Sequence, residues 1–169
     1  MNNYGITRKN ALVWLTLSAV VIIIDQATKA MALATLQRHV AHPVIPGFLN
    51  WRLAFNSGAA FSFLAGADGW QRWFFTTLAV AVSAALVIWL CRTRRSDWRV
   101  ALPLALIIGG ALANLVDRMR FGQVTDFIQV YYREWAWPTF NIADSAISVG
   151  AVLLIVFGLR GGKRFTSGG

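Results

Sequence analysis

Apolar residues gather into four long runs, roughly 11–33, 70–91, 100–116 and 140–159, separated by more polar connections. At a rise of ~1.5 Å per residue, helices of that length cross a hydrocarbon core ~30 Å thick. Asp25, Gln26 and Lys29 interrupt the first run, so its second half is weaker on hydropathy alone. Two connections, about 34–69 and 117–139, carry a strand period instead. Trp51, Leu53 and Phe55 alternate with Asn50, Arg52 and Ala54, after turn signals at Pro43, Pro46 and Gly47 and before Ser57-Gly58. Phe61, Phe63 and Leu64 resume an apolar pattern, and in the second connection Val124, Asp126, Ile128 and Val130 alternate with Thr125, Phe127, Gln129 and Tyr131. The expected fold is membrane α-helical: a four-transmembrane-helix bundle with a small extracytoplasmic β-rich cradle built between spans 1–2 and 3–4. Residues 1–169 leave room for a single domain.

Composition agrees with this pattern: 57% of residues are hydrophobic, and the mean hydropathy is +0.54. A cleavable signal peptide is the rival reading of the first run, with Arg8 and Lys9 as its basic start. Three further spans, and a helical polar face beyond Ile24, argue for a retained helix. The net charge of +9 would suit nucleic acid, but its distribution does not. Arg8 and Lys9 precede the first span, Arg92, Arg94, Arg95 and Arg99 join the second to the third, and Arg160, Lys163 and Arg164 follow the fourth. With four spans these clusters share one side, which the positive-inside rule makes cytoplasmic. The basic excess is read as topology and contact with anionic lipid, with no nucleic-acid partner. Both termini are then cytoplasmic and both long connections face the other side. Trp135 and Trp137 before Pro138, with Trp70 and Trp73, suit an interfacial aromatic belt. Cys91 stands alone, so no intramolecular disulfide is possible. The end Ser167-Gly168-Gly169 is a small Gly-rich tail.

The polar residues of the spans are the informative ones. Asp144 is expected about a turn inside the last span, and Asp126 just past the third. Intramembrane carboxylates are expensive and are usually kept for a task. Two flanking one short connection suit a pair that shares a proton, as in aspartic proteases. No Lys or Arg lies at helical spacing from Asp144, and Asp126 has only uncharged near neighbours. Asp25 and Lys29, at i and i+4, form a self-neutralising structural pair, and Asp117 beside Arg118 is either an interfacial pair or part of a site. Asn114 and Asn141 suit interhelical hydrogen bonding. Asn141, Asp144, Ser145 and Ser148 form a polar stripe expected to turn inward, while Gly109 and Gly110 allow close helix approach.

Other chemistries lack their parts. His39 and His42 have no HExxH pattern and no cysteine partner, so no metal site is expected. Ser57 has no helix-borne histidine as base. No Gly-rich phosphate loop is present, and no cofactor is implied. The competing class is a small proton-coupled transporter using Asp126 and Asp144 as a relay, but the stretches 80–90 and 149–159 are almost wholly apolar. A non-catalytic scaffold is the third option.

Five segments in order resemble the motifs of the bacterial lipoprotein signal peptidases, or signal peptidase II. They are Asp25-Gln26-Ala27-Thr28-Lys29, Asn56-Ser57-Gly58-Ala59-Ala60-Phe61-Ser62, the stretch from Gly109 to Arg118, Val124-Thr125-Asp126-Phe127, and Phe140-Asn141-Ile142-Ala143-Asp144-Ser145. The resemblance implies an inner-membrane aspartic endopeptidase acting near the periplasmic face. Its substrate would be a prolipoprotein whose cysteine carries diacylglyceryl, cleaved just before that cysteine. By that likeness Asp126 and Asp144 are the catalytic dyad, Asn56, Asn114 and Arg118 line the substrate groove, and Asn141 and Ala143 shape the site around Asp144. Asp25, Lys29 and Asp117 remain structural polar residues. A globomycin-type cyclic peptide is the inhibitor the resemblance implies.

Overall fold

A computed structural model of the chain describes residues 10–57 and 70–161. Arg8, Lys9, the motif from Gly58 to Ser62 with Phe63 and Leu64, Lys163, Arg164 and the terminal Ser167-Gly168-Gly169 lie outside the described residues. A short 3-10 turn, Ala11–Trp14, leads into helix α1, Leu15–Thr35. Strands β1, Ala41–Ile45, and β2, Leu49–Asn56, follow. Helices α2, Trp70–Arg92, and α3, Trp98–Phe121, come next. Strands β3, Val124–Tyr132, and β4, Trp135–Ala136, precede α4, Ile142–Gly161.

Among the described residues, four helices are long and apolar enough to cross a membrane. Helix α3 packs against each of the others and forms the centre of the bundle. Within its most apolar window 56% of residues are buried, against 22% or less in the other three. Those three turn Ile23, Trp73, Phe74, Ile88, Val152 and Ile155 outward. Such exposure suits hydrocarbon and not water. At the end of the bundle where the chain begins, Ala11, Leu90, Ala101, Leu104 and Ile108 form a dry core. There the Ala11 N–H donates to the carbonyl of Thr93, 3.1 Å away, joining the start of the chain to the α2–α3 connection.

Close helix approach rests on glycine. A Cβ on Gly109 would lie 2.9 Å from the Ser18 carbonyl oxygen of α1, and one on Gly110 would fall against the Ala143 carbonyl oxygen of α4. The adjacent pair therefore brings two different helices against α3. This is the van der Waals route to association where apolar burial gives no drive.

The sheet caps the opposite end, antiparallel throughout in the order β1-β2-β3-β4. Its strand period is less regular than the sequence suggests. Trp51 pairs with Ile128 and Ala54 with Asp126, so Arg52 and Leu53 stand opposite Phe127 alone. This bulge interrupts the inside-outside alternation. Asn50 is buried and bonds Gln129, whereas Trp51 is 37% exposed. Pro43, read as a turn signal, lies within β1.

Two helix ends also differ from expectation. Helix α3 runs on to Phe121, well past 116, so Asp117 and Arg118 are still helical. It stops at Gly122, whose φ of 75° is left-handed and whose N–H caps the Arg118 carbonyl at 3.0 Å. Helix α4 starts at Ile142, because Phe140 is stitched into the sheet by reciprocal bonds of 2.9 Å with Ile128.

Replacing Gly110 by alanine is expected to lower the melting temperature in detergent by roughly 5 °C, since backbone has to move. Gly158→Ala, whose Cβ would meet nothing within 4 Å, serves as the control and leaves it unchanged. Equal melting of the two variants would contradict the close α3–α4 contact.

Candidate active site

The site is assembled at the first turn of α4. Asn141 is its N-cap: the side-chain oxygen accepts the Asp144 N–H at 2.9 Å, while Asp144 Oδ2 accepts the Asn141 N–H at 3.3 Å. This reciprocal pair is a capping box, which satisfies two orphan donors and fixes the Asp144 side chain against the helix start. Asp144 is thus the third residue of α4, shallower than the full turn expected from sequence. With its oxygen committed to the cap, the Asn141 amide turns its Nδ2 to Asp126 Oδ1, 2.7 Å away. One asparagine therefore holds both carboxylates.

Asp126 arrives from β3. It pairs with Ala54, and Asn56 pairs with Val124, so Asp126 and Asn56 sit diagonally on one face of the sheet. Both Asn141 and Asn56 hydrogen-bond the Asp126 carboxylate. Burial, and then the charge of Asp144, push the Asp126 carboxyl up to about 7 against the help of those bonds and of Lys29. Its side chain is only 2% exposed, in keeping with burial as the leading cause.

Helix α3 supplies Asn114 and Arg118. The Asn114 Nδ2 donates to Asp144 Oδ1 at 2.7 Å. Arg118 lies over the Phe75 ring, with its guanidinium carbon 5.6 Å from the centroid, and within electrostatic range of Asp144, Asp126 and Asp117. Its Nη1 reaches the Asn114 carbonyl at 3.5 Å, and its Nε is buried without a hydrogen-bond partner among the described residues.

Beneath the two aspartates lies a buried charge cluster. Lys29 binds Asp25 at 2.8 Å and Asp117 at 3.0 Å. Asp117 is therefore tied to α1 and not to its neighbour Arg118. It also accepts the Thr125 N–H at 2.9 Å, anchoring the start of β3. Asp25 accepts the Ala143 N–H at 2.9 Å, so it reaches beyond Lys29 to hold the N-terminus of α4, where a negative charge is favoured.

Gln26 was not singled out from sequence as a site residue, yet it bonds Asp117 at 2.8 Å and Asp25 at 3.3 Å. Its place within the polar run 25–29 was the available signal. Thr125 carries no sequence signal, since it contributes backbone: its carbonyl also accepts from Asn141 at 3.3 Å. The inward stripe on α4 is shorter than expected. Asn141 is buried and Ser145 folds back onto the Asn141 carbonyl, but Ser148 is exposed. The face of α4 that meets α3 is made of Ala143, Ala146 and Gly150 instead.

The family model described as signal peptidase (SPase) II matches residues 17–160, nearly the whole chain. The chain belongs to the signal peptidase II family. A lipoprotein signal peptidase of Xanthomonas campestris pv. campestris (strain 8004) is 56% identical over 160 residues, covering 95% of this chain and 96% of that one. The lipoprotein signal peptidase of Xylella fastidiosa (strain M12) is 54% identical over 146 residues, covering 86% and 87%. A bacterial membrane enzyme solved by the in meso method superposes with a TM-score of 0.81 at 28% identity, covering 96% of this chain and 98% of its own. A second such structure gives 0.76 at 30% identity, covering 89% and 96%. Family membership and four spans make this a multi-pass membrane protein. A transporter relay is not favoured by this family membership.

A carboxyl whose folded pKa lies above its unfolded value contributes stability at low pH and loses it as pH rises. For Asp126 that window runs from the ordinary value, 3.8, to about 7. Asp126→Asn escapes the loss. It is expected to melt roughly 5 °C above wild type at pH 8 and close to it at pH 4. A difference independent of pH would contradict the raised value.

Proposed function

We propose that this protein is an aspartic endopeptidase that removes the signal peptide from diacylglyceryl-modified prolipoproteins, cutting just before the lipidated cysteine. The observation carrying this reading is the double grip of Asn141 on Asp126 and Asp144. Family membership supports the substrate class, and the geometry supports the chemistry.

Two carboxylates held by one residue in a buried place do not both ionise cheaply, so the pair keeps one proton near neutral pH. The ionised member takes a proton from water as the oxygen attacks the scissile carbonyl. The protonated member hydrogen-bonds the developing oxyanion and then returns a proton to the leaving amine. No cofactor takes part in these steps. Asn56, Asn114 and Arg118 line the groove, and the unpartnered Arg118 Nε is a donor suited to a substrate carbonyl. Asn141 and Ala143 set the position of Asp144 through the helix cap. A globomycin-type cyclic peptide would compete for the same groove.

The site belongs, in this reading, near the periplasmic face of a bacterial inner membrane, with both termini cytoplasmic. Arg92, Arg94, Arg95 and Arg99 cluster at the α2–α3 connection, the end opposite the sheet, and Asn10 bridges to Arg94 there. The positive-inside rule supports that end as cytoplasmic. A site in the first turn of α4 then meets a lipidated cysteine whose acyl chains lie in the outer leaflet.

Single-turnover cleavage of a diacylglyceryl-modified prolipoprotein by the purified protein tests the reading. Wild type is expected to cut before the lipidated cysteine, and Asp126→Asn and Asp144→Asn to slow cleavage by roughly 10⁴-fold or more while remaining folded. Near-normal turnover in either variant would remove that residue from the dyad, and an inactive, folded wild type would overturn the assignment.

A further inference from the structure

We propose that Lys29, beyond joining the buried charges, is a positioning residue that fixes through Asn114 which hydrogen-bond donor Asp144 receives, and so sets the protonation of the dyad. The inference rests on the dyad reading above and extends it to a residue that does not touch the reacting atoms.

An ammonium has three donors and no acceptor. The Lys29 Nζ spends all three, at 2.8 Å on Asp25, 3.0 Å on Asp117 and 2.9 Å on Asn114 Oδ1. The third bond decides how the Asn114 amide lies. Its oxygen must face Lys29, and it also accepts from Asn141 Nδ2 at 3.2 Å. Only the NH₂ group is then left for Asp144 Oδ1, 2.7 Å away. Turned over, the amide would set its NH₂ against the ammonium and against the Asn141 NH₂, and its oxygen against a carboxylate, three repulsive contacts in place of three attractive ones. Asn141 is fixed in the same manner by a backbone donor, the Asp144 N–H. Each carboxylate thus receives an amide donor whose orientation is set by a group that cannot accept. For Asp126 that group is main chain; for Asp144 it is Lys29, the shorter and charged contact, with the Asn141 NH₂ group beside it.

Among the described residues, the charged groups within electrostatic range of Asp144 are Asp25 and Lys29 from α1, Arg118 from α3 and Asp126 from β3, with Asp117 acting on Arg118. Lys29 is 2% exposed, so its bonds to these partners are largely shielded from solvent. A merely structural lysine would need its two aspartates only, and the bond to Asn114 would be incidental.

The test uses two variants, the second of them charge-matched to wild type. Asp25→Asn alone leaves Lys29 on Asp117 and Asn114. Asp25→Asn with Lys29→Met keeps the cluster's net charge, since one anion and one cation are removed together, but takes away the donor to Asn114. Two readouts are followed against pH: turnover of the lipidated substrate, and the carboxyl-stretch infrared titration, which needs no substrate.

Asp25→Asn is expected not to raise the acid limb of either, since it takes away an anion facing the dyad. The double variant is expected to raise that limb by about one pH unit and to lose roughly tenfold in turnover at pH 6, because the ionised dyad loses a donor and a cation. A folded double variant with the wild-type limb and turnover would overturn the proposal and leave Lys29 structural. If the double variant does not fold, Lys29→Arg carries the test. It keeps the cation between the aspartates, but its planar fork is unsuited to a third donor towards Asn114. The same rise is expected, and an unmoved limb would overturn the proposal. Failure of both to fold would assign Lys29 to folding and overturn it too. A wild type that never cleaves, with an infrared limb that still moves in the double variant, would sink the peptidase reading and sustain the positioning role of Lys29.

Discussion

The reciprocal cap between Asn141 and Asp144 is the constraint on which the rest of the site depends. It uses the donors that a helix start leaves open, so part of the cost of ending a helix here is met by Asp144, a member of the proposed dyad, and by the asparagine that holds it. The cap consumes the Asn141 oxygen and thereby aims its NH₂ group at Asp126. Phe140, one residue earlier, is bonded into β3 beside Ile128. Sheet edge and helix start are thus joined through two consecutive residues, the second of which bonds both carboxylates.

Around that joint, buried charge is arranged to satisfy itself. Asp25, Lys29 and Asp117 are each 2% exposed or less, and each removal of a lone partner would strand a charge at a cost of about 3–5 kcal/mol. The cluster spans three elements: α1 carries Asp25 and Lys29, α3 carries Asp117, and the backbone of Thr125 and Ala143 brings in β3 and α4. The same contacts that hold the bundle at this end therefore hold the two aspartates at their spacing. The far end needs none of this, and its packing around Leu104 and Ile108 is apolar.

Much of the architecture is legible in the chain because the bilayer imposes one strong rule, a long apolar run for each crossing. Carboxylates that break such runs stand out for the same reason, so Asp25 and Asp144 are found at once, while Asp126 stands out among the apolar residues of its strand. What sequence spacing conveys poorly is partnership between elements. Asp117 is next to Arg118 along the chain, yet its ion partner is Lys29 on another helix, a choice made by how α1 packs on α3. The bulge at Arg52–Leu53 depends on the register with β3, which alternation in one strand does not encode. Ser148 continues a helical polar stripe on paper, but the side of α4 facing α3 is chosen by Gly110, Ala143 and Gly150. The late start of α4 follows from a backbone bond to β3 that side-chain identity does not announce.

The central claim is that Asp126 and Asp144 act as one coupled unit with a single proton. The most direct measurement is a carboxyl ¹³C NMR titration of aspartate-labelled protein in detergent, with the single asparagine variants assigning the signals. The account predicts one protonated dyad carboxyl at pH 6 in the wild type, and a downward move of the Asp126 titration when Asp144→Asn removes its neighbour's charge. Two carboxyls already ionised at pH 6, or an Asp126 titration indifferent to Asp144, would contradict it.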